Sequence, residues 1–172
     1  MTRVLQTALL LACSTVTVAG TPQIPAELTV PAGEKLVLKA HATGSQIYTC
    51  KPGTDGALQW VLKAPDADLH DKKGAVIGHH FAGPSWKHKD GSEITGKASA
   101  HVDSPDAGSI PWLLVSVTGH TGEGMFAKVT SIQRINTKGG KPPAASECDA
   151  SKTGTESKSA YSADYWFYAP GK

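Results

Sequence analysis

The stretch Leu58-Gln59-Trp60-Val61-Leu62-Lys63 decides the fold class. Leu58, Trp60 and Leu62 alternate with Gln59, Val61 and Lys63. Side chains two apart in an extended chain share a face, so this run predicts a strand with Leu58, Trp60 and Leu62 toward a core. The same period recurs on both sides of it. Leu36, Leu38 and Ala40 alternate with Lys35, Val37, Lys39 and His41. Phe126, Lys128, Thr130 and Ile132 alternate with Met125, Ala127, Val129 and Ser131. The run Trp112-Leu113-Leu114-Val115-Ser116-Val117 is apolar almost throughout, which predicts a strand covered on both faces. Asp90-Gly91 lies between Trp86-Lys87-His88 and Ile94, a two-residue hairpin signal.

Eighteen glycines and eleven prolines punctuate these runs, and no amphipathic helix stands out. Ala144 to Ser151 offers at most one helical turn, and Ser104 to Ser109 reads as a Pro-Asp-Ala-Gly turn. Ser151 to Ser159 is rich in Ser, Thr, Lys and Glu and reads as a loop before the last strand. From Gly96 to Val102 the alternation lapses, so the buried face there is left open. The expected fold is all-β: one β-sandwich or barrel-like domain of short antiparallel strands with long loops.

The chain of 172 residues fits one domain, 21–172, behind an N-terminal export signal, 1–20. Arg3 supplies the charge, Val4 to Ala12 the apolar run and Val18-Ala19-Gly20 the small-residue cleavage site. The apolar run is too short for a transmembrane helix. Leu10-Leu11-Ala12-Cys13 offers a second processing route, with Cys13 as a lipidated N-terminus. Leu11 stands where that route favours a small residue, so cleavage near Gly20 is the preferred reading. The expected location is therefore periplasmic or extracellular. Losing residues 1–20 removes Arg3 and no acid, leaving 16 cations against 15 anions and a net charge of +1. So balanced a chain lacks the clustered cations that nucleic acid or an anionic membrane requires. Cys50 and Cys148 remain as an even pair, which in an oxidising compartment predicts a disulfide closing most of the domain.

One block concentrates chemistry: Gly78-His79-His80-Phe81-Ala82-Gly83-Pro84-Ser85-Trp86. Gly and Pro interrupt strand pairing, and His and Trp then project from a bent backbone. His79 and His80 are neighbours, so their rings face opposite ways; His80 is the site candidate and His79 the exposed one. His120, between Gly119 and Thr121-Gly122, lies at a Gly-rich strand end. Together, His80 and His120, joined by Asp149 or Asp164, form a candidate copper or zinc site. The plainer alternative has these histidines hydrogen-bonding in turns, and no HxH or HExxH spacing argues against it. Trp60 and Trp112 read as core, whereas Trp86 is flanked by Pro84, Ser85 and Lys87 and is a candidate ligand platform. Tyr165-Trp166-Phe167-Tyr168 must send two aromatics to each face. Arg134 and Asp164 suit a clamp on a carboxylate or sugar hydroxyl, or equally a structural bridge. The ligand-binding candidates are thus His80, Trp86, His120, Arg134, Asp164 and Tyr165. Nothing reads as catalytic, since Ser85 lies in Gly-Pro-Ser-Trp rather than GxSxG.

Several blocks together resemble the secreted bacterial and fungal proteins grouped as domain of unknown function 3455. They include Gln46-Ile47-Tyr48-Thr49-Cys50-Lys51, His80-Phe81-Ala82-Gly83-Pro84-Ser85-Trp86, Ile110-Pro111-Trp112-Leu113-Leu114 and Tyr161-Ser162-Ala163-Asp164-Tyr165-Trp166-Phe167-Tyr168. Fungal members carry a malate dehydrogenase assignment, which this chain does not support: it has no strand–GxGxxG–helix unit. The expected function is an extracytoplasmic module binding a small organic molecule or glycan. The alternatives are a His-based metalloprotein or redox enzyme, and a structural envelope or surface protein whose aromatic blocks form an oligomer interface.

Overall fold

A computed structural model describes residues 22–171. The export signal and the lipidation alternative at Cys13 lie outside the described residues. Eight antiparallel strands follow one another around a closed barrel: β1 (Glu34–Pro52), β2 (Leu58–His70), β3 (Val76–Phe81), β4 (Ser85–His88), β5 (Glu93–Val102), β6 (Trp112–Thr121), β7 (Ser131–Gly139) and β8 (Glu156–Pro170). The last strand pairs with the first over nearly its full length, from Glu34↔Pro170 to Thr49↔Glu156. Closure leaves the sheet no free edge at its ends. The all-β architecture is the expected one, in its barrel form, but β1, β2 and β8 are long rather than short, at 19, 13 and 15 residues. The described helical residues are single 3-10 turns at Ala26–Leu28, Ala145–Glu147 and Ala150–Lys152.

The period of two is plainest in β8, where Tyr161, Ala163, Tyr165, Phe167 and Ala169 are buried and their neighbours are not. Tyr165 and Phe167 point into the barrel, while Trp166 faces outward under the Lys39 ammonium, 3.7 Å from the ring centre. Strand β6 is covered on both faces, as its apolar run predicts. Leu113 and Val115 look inward, whereas Trp112 and Leu114 pack outside with Ile135 under Leu28 of the N-terminal segment. Gln133 Nε2 fastens that segment by donating to the Leu28 carbonyl at 2.7 Å.

Three expectations change, and the facing left open in β5 is resolved. Phe126 to Thr130 is a loop, and β7 begins only at Ser131. Phe126 and Val129 are both fully buried, three apart, because the loop folds back across the barrel end rather than extending. Glu156 to Ser159 is strand, not loop, held by pairing with β1 in spite of its polar composition. The lapse from Gly96 to Val102 arises in the pairing of β5 with β6. At Thr95/Gly96 the extra residue is Thr118 of β6, so Ile94 and Gly96 keep one facing, whereas at Ala98/Ala100 the extra residue is Ser99 of β5 and the facing reverses. Leu62 is 51 % exposed rather than core, because the first half of β2 runs past the end of its partner β3.

One barrel end is plugged. Phe126 sits inside it, its ring 4.7 Å from Phe167 and 5.6 Å from His88. The Asp90 carboxylate builds the plug: it accepts from the Ser92 amide at 2.9 Å, the Ser92 hydroxyl at 2.6 Å and the Met125 amide at 2.8 Å. The Ser92 hydroxyl in turn accepts the Phe126 amide at 3.1 Å. Those donors hold the Asp90 carboxyl well below the usual carboxylate range, led by Ser92. Asp90→Ala is therefore expected to lower the melting temperature and to speed hydrogen exchange at the Ser92, Met125 and Phe126 amides. Unchanged exchange there would show that the plug holds without Asp90.

Candidate functional site

At the opposite end the barrel is hollow. Register assembles the walls of the hollow. Across β2–β5, Ala67 faces His80, His80 faces Trp86 and Trp86 faces Ile94. Across β6–β8 and on to β1, Leu113 faces Arg134, Arg134 faces Tyr165 and Tyr165 faces Ala40. Partners in an antiparallel pair share a face, so both rows look inward. The rows meet in the middle, where the Tyr165 ring lies 5.2 Å from His80 and 5.8 Å from Trp86, edge-on to both. His80 and Trp86 stack with centroids 4.3 Å apart and planes 6° apart.

Above this layer lies a cavity of about 660 Å³ whose lining includes Gln46, Leu62, Pro65, Trp86, Leu113 and Arg134. That is within the roughly 300–1,000 Å³ typical of small-molecule sites, and an eight-stranded barrel has room for one small ligand. The wall is low on one side. Strands β3 and β4 have only six and four residues, so β2 before Ala67 and β5 after Thr95 have no strand between them. Only the Gly83-Pro84 turn fills that gap, and Leu62, Lys63, Lys97 and Ala98 border it. The block that interrupts strand pairing is thus what opens the barrel sideways.

Polar groups inside are poorly satisfied. Among the described residues, Gln46 Nε2, Trp86 Nε1 and the Tyr161 and Tyr165 hydroxyls are buried without a hydrogen-bond partner. Tyr161 lies within hydrogen-bonding influence of Gln46 and Tyr165, and Tyr165 of Arg134, yet the buried amide and phenol atoms complete no bond of normal geometry. Burying such atoms unpaired costs about 1–3 kcal/mol each, which marks the cavity as built for something besides stability. Burial raises the Tyr161 and Tyr165 pKa values and keeps both phenols protonated. His80, 3 % exposed, donates Nδ1–H to the Ser85 carbonyl at 2.8 Å, leaving Nε2 as an acceptor. Burial, with smaller contributions from Arg134 and His79, pushes its pKa down to about 3, so the ring is neutral at physiological pH. Arg134 donates Nε–H and Nη2–H to the Pro111 carbonyl at 3.2 and 2.9 Å and makes no ion pair among the described residues.

The chain matches a family profile, described as "Protein of unknown function (DUF3455)", over residues 31–169. The chain belongs to the DUF3455 family. No curated protein and no solved structure matches it. In this DUF3455 barrel the match takes in the strands that wall the cavity.

The structure brings together four of the residues singled out from sequence: His80, Trp86, Arg134 and Tyr165. It does not bring His120 to them. His120 Nε2 donates to the Val129 carbonyl at 2.7 Å and lines a separate hollow with Pro170 and Gly171 at the plugged end. A shared ion for His80 and His120 is therefore not what the geometry offers. Among the described residues, no group of three or more His, Cys, Asp or Glu side chains is placed to hold a metal. Asp164 is one residue from Tyr165 and so faces outward, accepting from His41 Nδ1 and Asn136 Nδ2, each at 2.8 Å. It bridges strands and does not clamp with Arg134. Asp149 accepts the Ser151 amide at 2.9 Å and caps a 3-10 turn. His79 faces outward between Asp66 and Asp68, 3.1 Å from each, the reverse of His80 as the strand period requires. Gln46 and Tyr161 escaped sequence reasoning as site residues. For Gln46 the signal was present: it falls in the inward phase of Ala40 and Ala42, where a buried amide needs a partner.

Cys50 and Cys148 form the expected disulfide, with Cα atoms 5.4 Å apart. It ties the connection between β7 and β8 to the end of β1, beside the hollow end of the barrel.

Proposed function

We propose that this protein is an extracytoplasmic binding module that takes a small organic molecule into the barrel. One observation carries the reading: a cavity in the barrel of about 660 Å³ lined by His80, Trp86, Tyr165 and Gln46 and retaining orphaned donors. Gln46 Nε2, Trp86 Nε1 and the Tyr165 hydroxyl are sealed by their neighbours, so a ligand gains hydrogen bonds from them as those side chains turn toward it. Apolar side chains, chiefly Leu62, Pro65, Leu113 and Val115, give the remaining contact. The side gap beside Gly83-Pro84 is the entry route. Export is supported by the disulfide, which persists in oxidising compartments, and no described helix is long and apolar enough to cross a membrane.

A fragment screen read by melting temperature tests this. A ligand at one hundred times its Kd stabilises the fold by about 2.7 kcal/mol, a shift of several degrees for a domain of this size. Leu113→Trp fills the cavity without removing a polar group. The shift given by each true cavity ligand is expected to vanish in that variant. Fragments that stabilise wild type and L113W equally bind elsewhere, and a screen yielding only those contradicts the reading.

A further inference from the structure

We infer that the cavity is selective for an apolar carboxylate, whose carboxylate group is received by Arg134; this rests on the cavity being a ligand site, as proposed above. Arg134 lines the cavity; its Nε and Nη2 are spent on one backbone carbonyl, and the Tyr165 hydroxyl, itself neutral, is its other polar neighbour. No carboxylate of the described residues pairs with it, and none of the cavity-lining residues is Asp or Glu. The other charged groups of the lining are Lys63 and Lys97, both at the gap. Arg134 is half-buried, and a cation even partly withdrawn from water without a counter-ion is costly, a cost that a ligand anion relieves.

The neighbouring polar atoms have the same preference. Gln46 Nε2 and Trp86 Nε1 can only donate, and the Tyr165 phenol, kept protonated by burial, also has a proton to give. A carboxylate accepts several such bonds; an ammonium accepts none. The histidine at the centre of the layer is uncharged and adds no second cation. With a single interior charge and Trp86, Leu113, Val115 and Pro65 around it, the rest of the ligand must be apolar. A polyol or sugar leaves too many hydroxyls against those walls.

Calorimetric titration with 2-naphthoate and its neutral isostere 2-naphthalenemethanol tests the inference. In wild type the acid is expected to bind at least roughly tenfold more tightly, the gain of a charge-assisted hydrogen bond. Arg134→Gln should erase that preference, weakening the acid at least roughly tenfold more than the alcohol, whose retained binding is the second arm. That second arm also shows that the variant's cavity is intact. Arg134→Lys keeps the charge and should keep the preference for the acid, which covers the case in which Arg134→Gln does not fold. Equal affinities for acid and alcohol in wild type overturn the carboxylate assignment and leave the cavity reading standing. Failure of both compounds to bind contradicts the cavity reading as well.

Discussion

Replacing Cys50 and Cys148 together by alanine is expected to lower the unfolding free energy by about 4–5 kcal/mol. The two residues are 98 apart in sequence, so the bond closes a loop of most of the domain. In the chain-entropy account a loop of that length restricts the unfolded ensemble strongly, and the native barrel gains by comparison. The local structure adds to the expectation. The connection from Gly140 to Thr155 holds only two single helical turns; beyond the Tyr48 hydroxyl donating to the Gly140 carbonyl at its start, it reaches β1 through the disulfide and two backbone bonds, Cys50 to Thr155 at 3.0 Å and Gly154 to Cys50 at 2.8 Å. Without the disulfide that connection has little else to hold it over the barrel end. Urea denaturation of the oxidised wild type and the double variant measures the difference. A loss below about 1 kcal/mol would show that the barrel's hydrogen-bonded closure by β1 and β8 already supplies the constraint.

The second large effect is an acid-linked loss of stability that belongs to His80. Its folded-state pKa of about 3 lies below the ordinary value of 6.5. The neutral ring is therefore favoured by folding. Well above pH 6.5 both states are unprotonated and the full contribution is present. As the pH falls from 6.5 toward 3, the unfolded chain takes up a proton and the folded one does not, so stability declines. The slope approaches about 1.4 kcal/mol per pH unit, and the total is on the order of 5 kcal/mol. The Asp residues held low by hydrogen bonds, Asp90 foremost with Asp71, Asp106 and Asp149, contribute only further into acid. Comparing wild type with His80→Gln between about pH 6.5 and 4.5 isolates the imidazole, above the carboxylate range. The variant should lose the slope across that window. Parallel pH profiles would mean that the ring protonates in place, with solvent reaching it.

Much of the barrel could be read from residue alternation, and the misreadings have physical causes. Tyr161 to Ala169 alternates cleanly because one face meets the barrel core and the other faces outward. Gly96 to Val102 could not be read, because the extra residue Ser99 reverses the facing midway along it. Phe126 and Val129 looked like members of a strand, yet they plug the barrel from a loop, and a loop tied by Asp90 has no period to reveal. The choice between sandwich and barrel depends on β1 pairing with β8, a contact between the two ends of the domain that no local pattern encodes.

The candidate site divides the same way. His80 and Trp86 were legible as a pair because they flank one Gly-Pro turn and face each other in the β3–β4 hairpin register. Arg134 and Tyr165 were grouped with them from residue type and block, but the geometry of that meeting across the barrel depends on closure, which no local pattern encodes. His120 and Asp164 were grouped with them on residue type. Asp164 is turned outward by its position next to Tyr165, and His120 belongs to the end closed by Phe126.

The barrel's interior is proposed as a ligand site. Nitrogen–proton correlation spectra of the labelled protein, titrated with a compound that raises its melting temperature, test it most directly. The account predicts that the largest shifts fall on the Trp86 indole N–H, the Gln46 side-chain amide and the backbone amides of Gly96 and Leu113. Shifts confined to the outer face of the barrel, or to His120 and its neighbours, with the Trp86 indole unmoved, would contradict it.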